Sequence, residues 1–109
     1  MNRESIMTDF RASLGLDDDY PLIFKGYIIF LTGREEFLAL FEDDEESTAF
    51  GYTDVITSSK VFENISQAIA VSKRITKYKT EVLAVIETSE QYGTYPVWRN
   101  KSGDREAQT

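Results

Sequence analysis

The order of apolar and polar positions along the 109-residue chain predicts helices at two places. In the first, Ile6, Phe10 and Leu14 recur at the i, i+4, i+8 spacing of one helix face. Gly15 follows directly, and glycine is the residue that most often ends a helix in the left-handed conformation. We therefore predict a short N-terminal helix over residues 4–14.

The second amphipathic pattern is longer and begins at a recognisable cap. Asn64 is a favourable N-cap residue, and Gln67 lies three residues later, as in a capping box. From there, apolar residues fall on one side of a helical wheel and polar or basic residues on the other. This pattern predicts the principal helix over about residues 64–78.

Three segments are typical of β-strands because they are rich in β-branched and aromatic residues. They are residues 22–31, residues 80–88 and the aromatic tail from Tyr92 to Trp98, which forms an extra strand or a strap. Gly26 interrupts the first segment and indicates a bulge or a tight bend. Residues 47–57 mix turn and extended signals, and a short edge strand fits them.

Residues 34–42 are compatible with two structures. A helix is supported by Thr32 and Glu35, which have the spacing of a capping box. A strand after a hairpin turn is supported by the five successive apolar residues 37–41, which exceed one helical stripe. The acids that follow would also lie at the unfavourable negative end of a helix. We favour the strand and keep the helix as the alternative.

These elements predict a single α+β domain over residues 1–99 and a flexible polar tail over residues 100–109. The sheet is expected to be mainly antiparallel, with roughly three to five strands. Several of its strands are apolar on both faces, so one helix covers only one face. The second face needs the N-terminal helix, the aromatic tail or another molecule.

Composition limits the chemistry. The chain has no histidine and no cysteine, which removes the most common general base and the usual transition-metal ligands. EF-hand loops starting at Asp17 or Asp43 would need glycine at their sixth position, where Leu22 and Thr48 stand. We predict no catalytic residues, no cofactor and no metal site. Without a long apolar run or a secretory signal, we expect no membrane contact and a bacterial host cytoplasm.

The net charge of −7 is unevenly distributed. Residues 1–56 hold 13 acids and 4 bases, whereas residues 57–109 hold 6 acids and 8 bases. Five acids form one continuous run, namely Glu42, Asp43, Asp44, Glu45 and Glu46. This run is either a solvated strand end or a docking surface for a basic partner. The basic residues of the principal helix are too few to predict direct nucleic-acid binding.

A set of residues between the acidic run and the principal helix resembles small uncharacterised proteins of phages and mobile elements. The residues that carry the resemblance are Thr53, Asp54, Lys60, Val61, Phe62 and Ala68, and the similar region covers roughly residues 27–88. The resemblance implies a β-β-α-β arrangement and a phage-like context, and it implies no activity.

Together, these features predict a small acidic non-catalytic module that binds a protein partner. The partner would be a host or defence protein that handles nucleic acid, because acidity helps a phage-encoded inhibitor to compete for basic surfaces. The predicted contact residues are the acidic run Glu42 to Glu46 and the aromatic residues Tyr92, Tyr95 and Trp98. Two alternatives stay open: a nucleotide-like ligand binder or carboxylate-based enzyme, and a self-associating structural domain such as a homodimer.

Overall fold

A computed structural model describes residues 2–100, which form two α-helices and one five-stranded antiparallel sheet. The helices are α1, Arg3–Leu14, and α2, Ile65–Arg74. The strands are β1, Ile23–Leu31; β2, Glu36–Asp43; β3, Thr48–Thr53; β4, Thr80–Glu87; and β5, Tyr92–Arg99. Their spatial order is β3-β2-β1-β4-β5. The predicted α+β class is confirmed.

Both predicted helices are present, and one of them ends early. The Asn2 side chain accepts a hydrogen bond from the Ser5 N–H and caps α1, which ends at Gly15 with φ 68° as expected. The Asn64 side chain caps α2 by accepting a hydrogen bond from the Ser66 N–H. However, α2 ends at Arg74, four residues before the predicted end, because Ile75 takes an extended conformation. The Ile75 side chain is buried there against the core.

The ambiguous segment after β1 is a strand. The chain turns at residues 32–35, and Phe37 of β2 then pairs with Phe30 of β1. The side chains of β2 pack on both faces of the sheet: Leu38 packs on the helix side and Phe37 on the opposite side. This alternation explains the unbroken apolar run, and it excludes the helical alternative for residues 36–42.

The predicted irregularity at Gly26 is a β-bulge, where the register between β1 and β4 shifts. Gly26 has φ 132°, a conformation that side-chain-bearing residues rarely adopt. A Cβ atom at this position would lie 2.5 Å from Cγ1 of Val61 and 2.8 Å from the carbonyl oxygen of Phe62. Glycine is therefore required by both backbone and space.

A short segment, Lys60–Phe62, lies between β1 and β2 where these two strands no longer pair with each other. We call this segment the wedge. Tyr27 of β1 exchanges two backbone hydrogen bonds with Phe62, of 2.8 and 2.7 Å. On the other side, the Lys60 N–H donates to the carbonyl oxygen of Leu38 in β2 at 2.8 Å. The hairpin formed by β2 and β3 consequently diverges from the rest of the sheet.

Both helices cover the same face of the sheet. Ile6 and Phe10 of α1 and Ala68 of α2 belong to one core cluster with inward residues of the strands. The opposite face carries a smaller cluster of Ile28, Leu83 and Val85, against which Phe30, Phe37 and Ile56 pack. The N-terminal helix was one of the three candidates for covering this opposite face. Its position on the first face excludes it.

The last described residue, Asn100, is held by hydrogen bonds to two parts of the chain. Asn100, which the sequence placed in the flexible tail, is buried. Its N–H donates to the carbonyl oxygen of Thr80 at 3.0 Å, and its side-chain amide donates to that of Ser72 at 3.4 Å. The Ser72 and Thr80 hydroxyls are hydrogen-bonded to each other. The remaining tail, residues 101–109, lies outside the described residues.

Candidate functional site

The acidic run occupies the turn between β2 and β3, at the end of the diverging hairpin. Glu42 and Asp43 end β2, and the next three acids form the turn before Thr48 begins β3. All five acidic residues are exposed. The run thus forms the polar end of β2 and the turn of the β2–β3 hairpin.

Asp43 joins the hairpin to helix α2. Its carboxylate accepts hydrogen bonds from the Arg74 guanidinium and, at 2.8 Å, from the Thr48 hydroxyl. Arg74 also lies over the Phe41 ring, 5.5 Å from its centroid. The hydrogen bonds from Arg74 and then Thr48 lower the pKa of Asp43, and the same ion pair raises the pKa of Arg74.

Asp44 organises the turn itself. Its carboxylate accepts hydrogen bonds from the N–H groups of Glu46 and Ser47, at 2.9 and 2.8 Å. Its own N–H donates to the Ser47 carbonyl oxygen at 3.0 Å. The bonds from the Ser47 and Glu46 backbones lower the pKa of the Asp44 carboxyl, because they favour its charged form.

The other three acids of the run do not hold the turn or the hairpin in place. Within residues 2–100, the carboxylates of Glu42, Glu45 and Glu46 form no ion pair and accept no hydrogen bond. Asp43 and Asp44 fix the tip, and the three glutamates are presented to solvent around it. We call Glu42, Glu45 and Glu46 the tip glutamates. Residue type was the signal that the sequence offered, because the short aspartate side chain is the one that hydrogen-bonds neighbouring backbone N–H groups in turns.

A cleft of about 280 Å³ lies beside β3, on the helix-covered side. It is lined by Phe50, Tyr52, Arg74, Ile75, Thr76, Lys77 and Tyr78. The rings of Tyr52 and Tyr78 meet edge to face at 6.0 Å, and burial raises the pKa of Tyr52. Sequence reasoning missed this site because its residues come from two segments that are joined only in the folded chain.

The predicted aromatic contact residues lie at the other edge of the sheet. Tyr92, Tyr95 and Trp98 belong to β5, so the whole sheet separates them from the acidic run on the β2–β3 turn. Tyr95 and Trp98 pack against the core on the helix side. Only Tyr92 is largely exposed, at 47%. The two sets of predicted contact residues therefore do not form one surface.

The face of the sheet opposite the helices keeps an apolar area. Ile23, Leu40, Val61 and Tyr92 are each about half exposed. A small cleft of about 130 Å³ lies among Ile28, Ile56, Val85 and their neighbours. The segment that carries Ile56 covers this face in part.

Residues 2–100 contain no group of three or more Asp and Glu side chains arranged to hold a metal ion. None of the helices found there is long and apolar enough to cross a membrane.

Comparisons with protein-family models, with curated proteins and with solved structures give no match for this chain.

Proposed function

We propose that this protein is a non-catalytic binding module that docks its acidic hairpin tip onto a basic surface of another protein. The observation that carries the proposal is that the five acids of the run fall into two groups with different contacts. Asp43 and Asp44 are used to fix the turn, whereas the tip glutamates are exposed and without ionic partners among residues 2–100.

A fixed turn favours binding because less conformational entropy is lost on association. The Arg74–Asp43 pair and the Asp44 hydrogen bonds hold the backbone from which the tip glutamates project. Several like charges held close together create a local negative potential, which attracts a basic surface and speeds encounter. Such binding weakens as salt rises, because exposed charges are screened.

The class of partner follows from the same charge. A basic surface that attracts several fixed carboxylates also attracts phosphates. A protein that binds nucleic acid is therefore a suitable partner. The resemblance to phage and mobile-element proteins supports a bacterial target. The module would act as an inhibitor or modulator by occupying that basic surface.

Affinity capture from a bacterial lysate tests the proposal. The test variant changes the tip glutamates to glutamine, E42Q/E45Q/E46Q, and the matched control changes three other exposed acids to asparagine, D17N/D18N/D19N. We expect the unaltered protein and the control to capture the same basic protein, and the test variant to lose it. Equal capture by the test variant and the control would sink the proposal.

A further inference from the structure

We infer that the outer edge of β3 receives an extended, basic segment of the partner protein, which adds to the sheet as a further strand. This inference rests on the proposed function and states how the partner is held. The acidic tip would attract the segment, and backbone hydrogen bonds along β3 would hold it.

The outer edge of β3 has unused backbone groups. In the described part of the chain, β3 pairs with β2 alone. The bond from the Asp44 N–H to the Ser47 carbonyl makes these two residues a hydrogen-bonded pair. Bonded and non-bonded pairs alternate in an antiparallel ladder, so Thr48, Phe50 and Tyr52 point their backbone groups away from β2.

This edge lacks the features that usually prevent strand addition. Natural edge strands are protected by lysine, proline or a covering element. The other edge strand, β5, contains Pro96 and is packed by α1, since Gly93 lies directly under the Phe10 ring. By contrast, β3 reads Thr-Ala-Phe-Gly-Tyr-Thr and contains no charge and no proline.

The cleft beside β3 offers a place for a side chain of the added strand. Side chains of a strand alternate between the two faces of the sheet, so every second residue would point towards the helix side. There, the Phe50 and Tyr52 rings and the segment from Arg74 to Tyr78 form the cleft of about 280 Å³. A long apolar side chain would contact these rings, which adds selectivity to the backbone pairing.

The charge of the hairpin decides which strand fits. Residues 42–59 contain six acids and no base. If two copies of this chain paired antiparallel along β3, with Thr48 opposite Thr53, the acidic tip of each copy would lie beside Asp54 of the other, and like charges placed opposite each other destabilise a sheet. A segment with lysine or arginine beside the tip complements the same stretch. The occupant is therefore a basic strand of another protein and not a second copy.

Two synthetic peptides test this inference on the full chain. The first alternates lysine with valine and is long enough to span Thr48–Thr53. The second has the same side chains and charge, but every peptide nitrogen is methylated, so that it has no backbone donors. Titration calorimetry measures affinity, and NMR measures amide hydrogen exchange along β3.

We expect the first peptide to bind about tenfold or more tightly than its methylated twin, because only the first can complete the ladder. It should slow amide exchange at Thr48, Phe50 and Tyr52. The amides of Ala49 and Gly51, which face β2, should change little. These site-specific changes would separate strand addition from a purely ionic contact.

Three results would overturn the inference. One is equal affinity for the two peptides, which would leave ionic docking by the tip glutamates intact. Another is exchange protection in β5 in place of β3. The third is no binding of either peptide at low salt. The lysate experiment decides the proposed function separately, because it depends only on the tip glutamates.

Discussion

At the scale of single residues, Gly26 is the position where β1 lies closest to the wedge. A glycine within a β-branched and aromatic run predicted a bulge, and the register shift between Phe24 and Gly26 confirms it. The reason for glycine was not visible, because it lies in contacts with Val61 and Phe62, far away along the chain. Local composition located the irregularity, whereas the long-range contact explains it.

We expect Gly26→Ala to destabilise the fold by about 1–3 kcal/mol, because the new methyl group meets a backbone oxygen and φ is unfavourable. Gly33→Ala is the matched control, since a Cβ there would meet nothing within 4 Å. Urea unfolding measures both free energies. A cost for Gly26→Ala that is no larger than that of the control would contradict the steric explanation.

At the scale of elements, β2 and α2 show what two different signals can predict. The unfavourable position of the acids after a helix correctly favoured a strand for β2. Apolar periodicity, which places Ile75 on the apolar helix face, predicted an α2 that is longer than the structure has. The Ile75 side chain is indeed buried, but from an extended backbone. Periodicity thus predicted burial correctly and the helix boundary incorrectly.

The hairpin should become less stable in acid through Asp43 and Asp44. Both carboxyls have a folded-state pKa below the ordinary 3.8. Their stabilisation is therefore complete above the unfolded-state pKa and is lost as pH falls through the lower folded-state value. We expect D43N/D44N to lose less thermal stability than the unaltered protein between about pH 7 and about pH 3.

The control for this experiment is E45Q/E46Q, which removes the same number of charges from the same turn. Thermal unfolding followed by circular dichroism gives the midpoint at each pH. The control should show the same acid sensitivity as the unaltered protein. If instead D43N/D44N kept the full acid sensitivity, the hydrogen bonds of these two aspartates would not be its source.

At the scale of the whole molecule, the hairpin of β2 and β3 joins the body through several separate contacts. They include the short β1–β2 pairing, the wedge, the Tyr52–Tyr78 ring contact and the ion pair from Arg74 of α2 to Asp43. The sequence predicted the strands, the turn between β1 and β2 and the acidic run, but not the other attachments. The wedge and the Arg74–Asp43 pair join residues that are distant along the chain, and no local pattern encodes such pairs.

We expect Arg74→Gln to loosen the hairpin without unfolding the domain. The substitution removes the contacts with Asp43, Thr48 and the Phe41 ring, so amide exchange should accelerate in β3 and the turn. Exchange in β1 and β4 should be unchanged. Lys73→Gln makes the same charge change at the neighbouring exposed position of α2. Equal acceleration in both variants would refute a specific role for Arg74.

The wedge has a consequence for the order of folding. The two hairpins, β2–β3 and β4–β5, join neighbouring segments and require little loop closure. Strand β1, in contrast, needs pairing partners from two other parts of the chain. Phe62 pairs with Tyr27 on one edge of the strand, and Ala84 pairs with Tyr27 on the other edge. Because α2 begins just after the wedge, docking of that helix and completion of β1 form one step. We expect this late step to limit the folding rate.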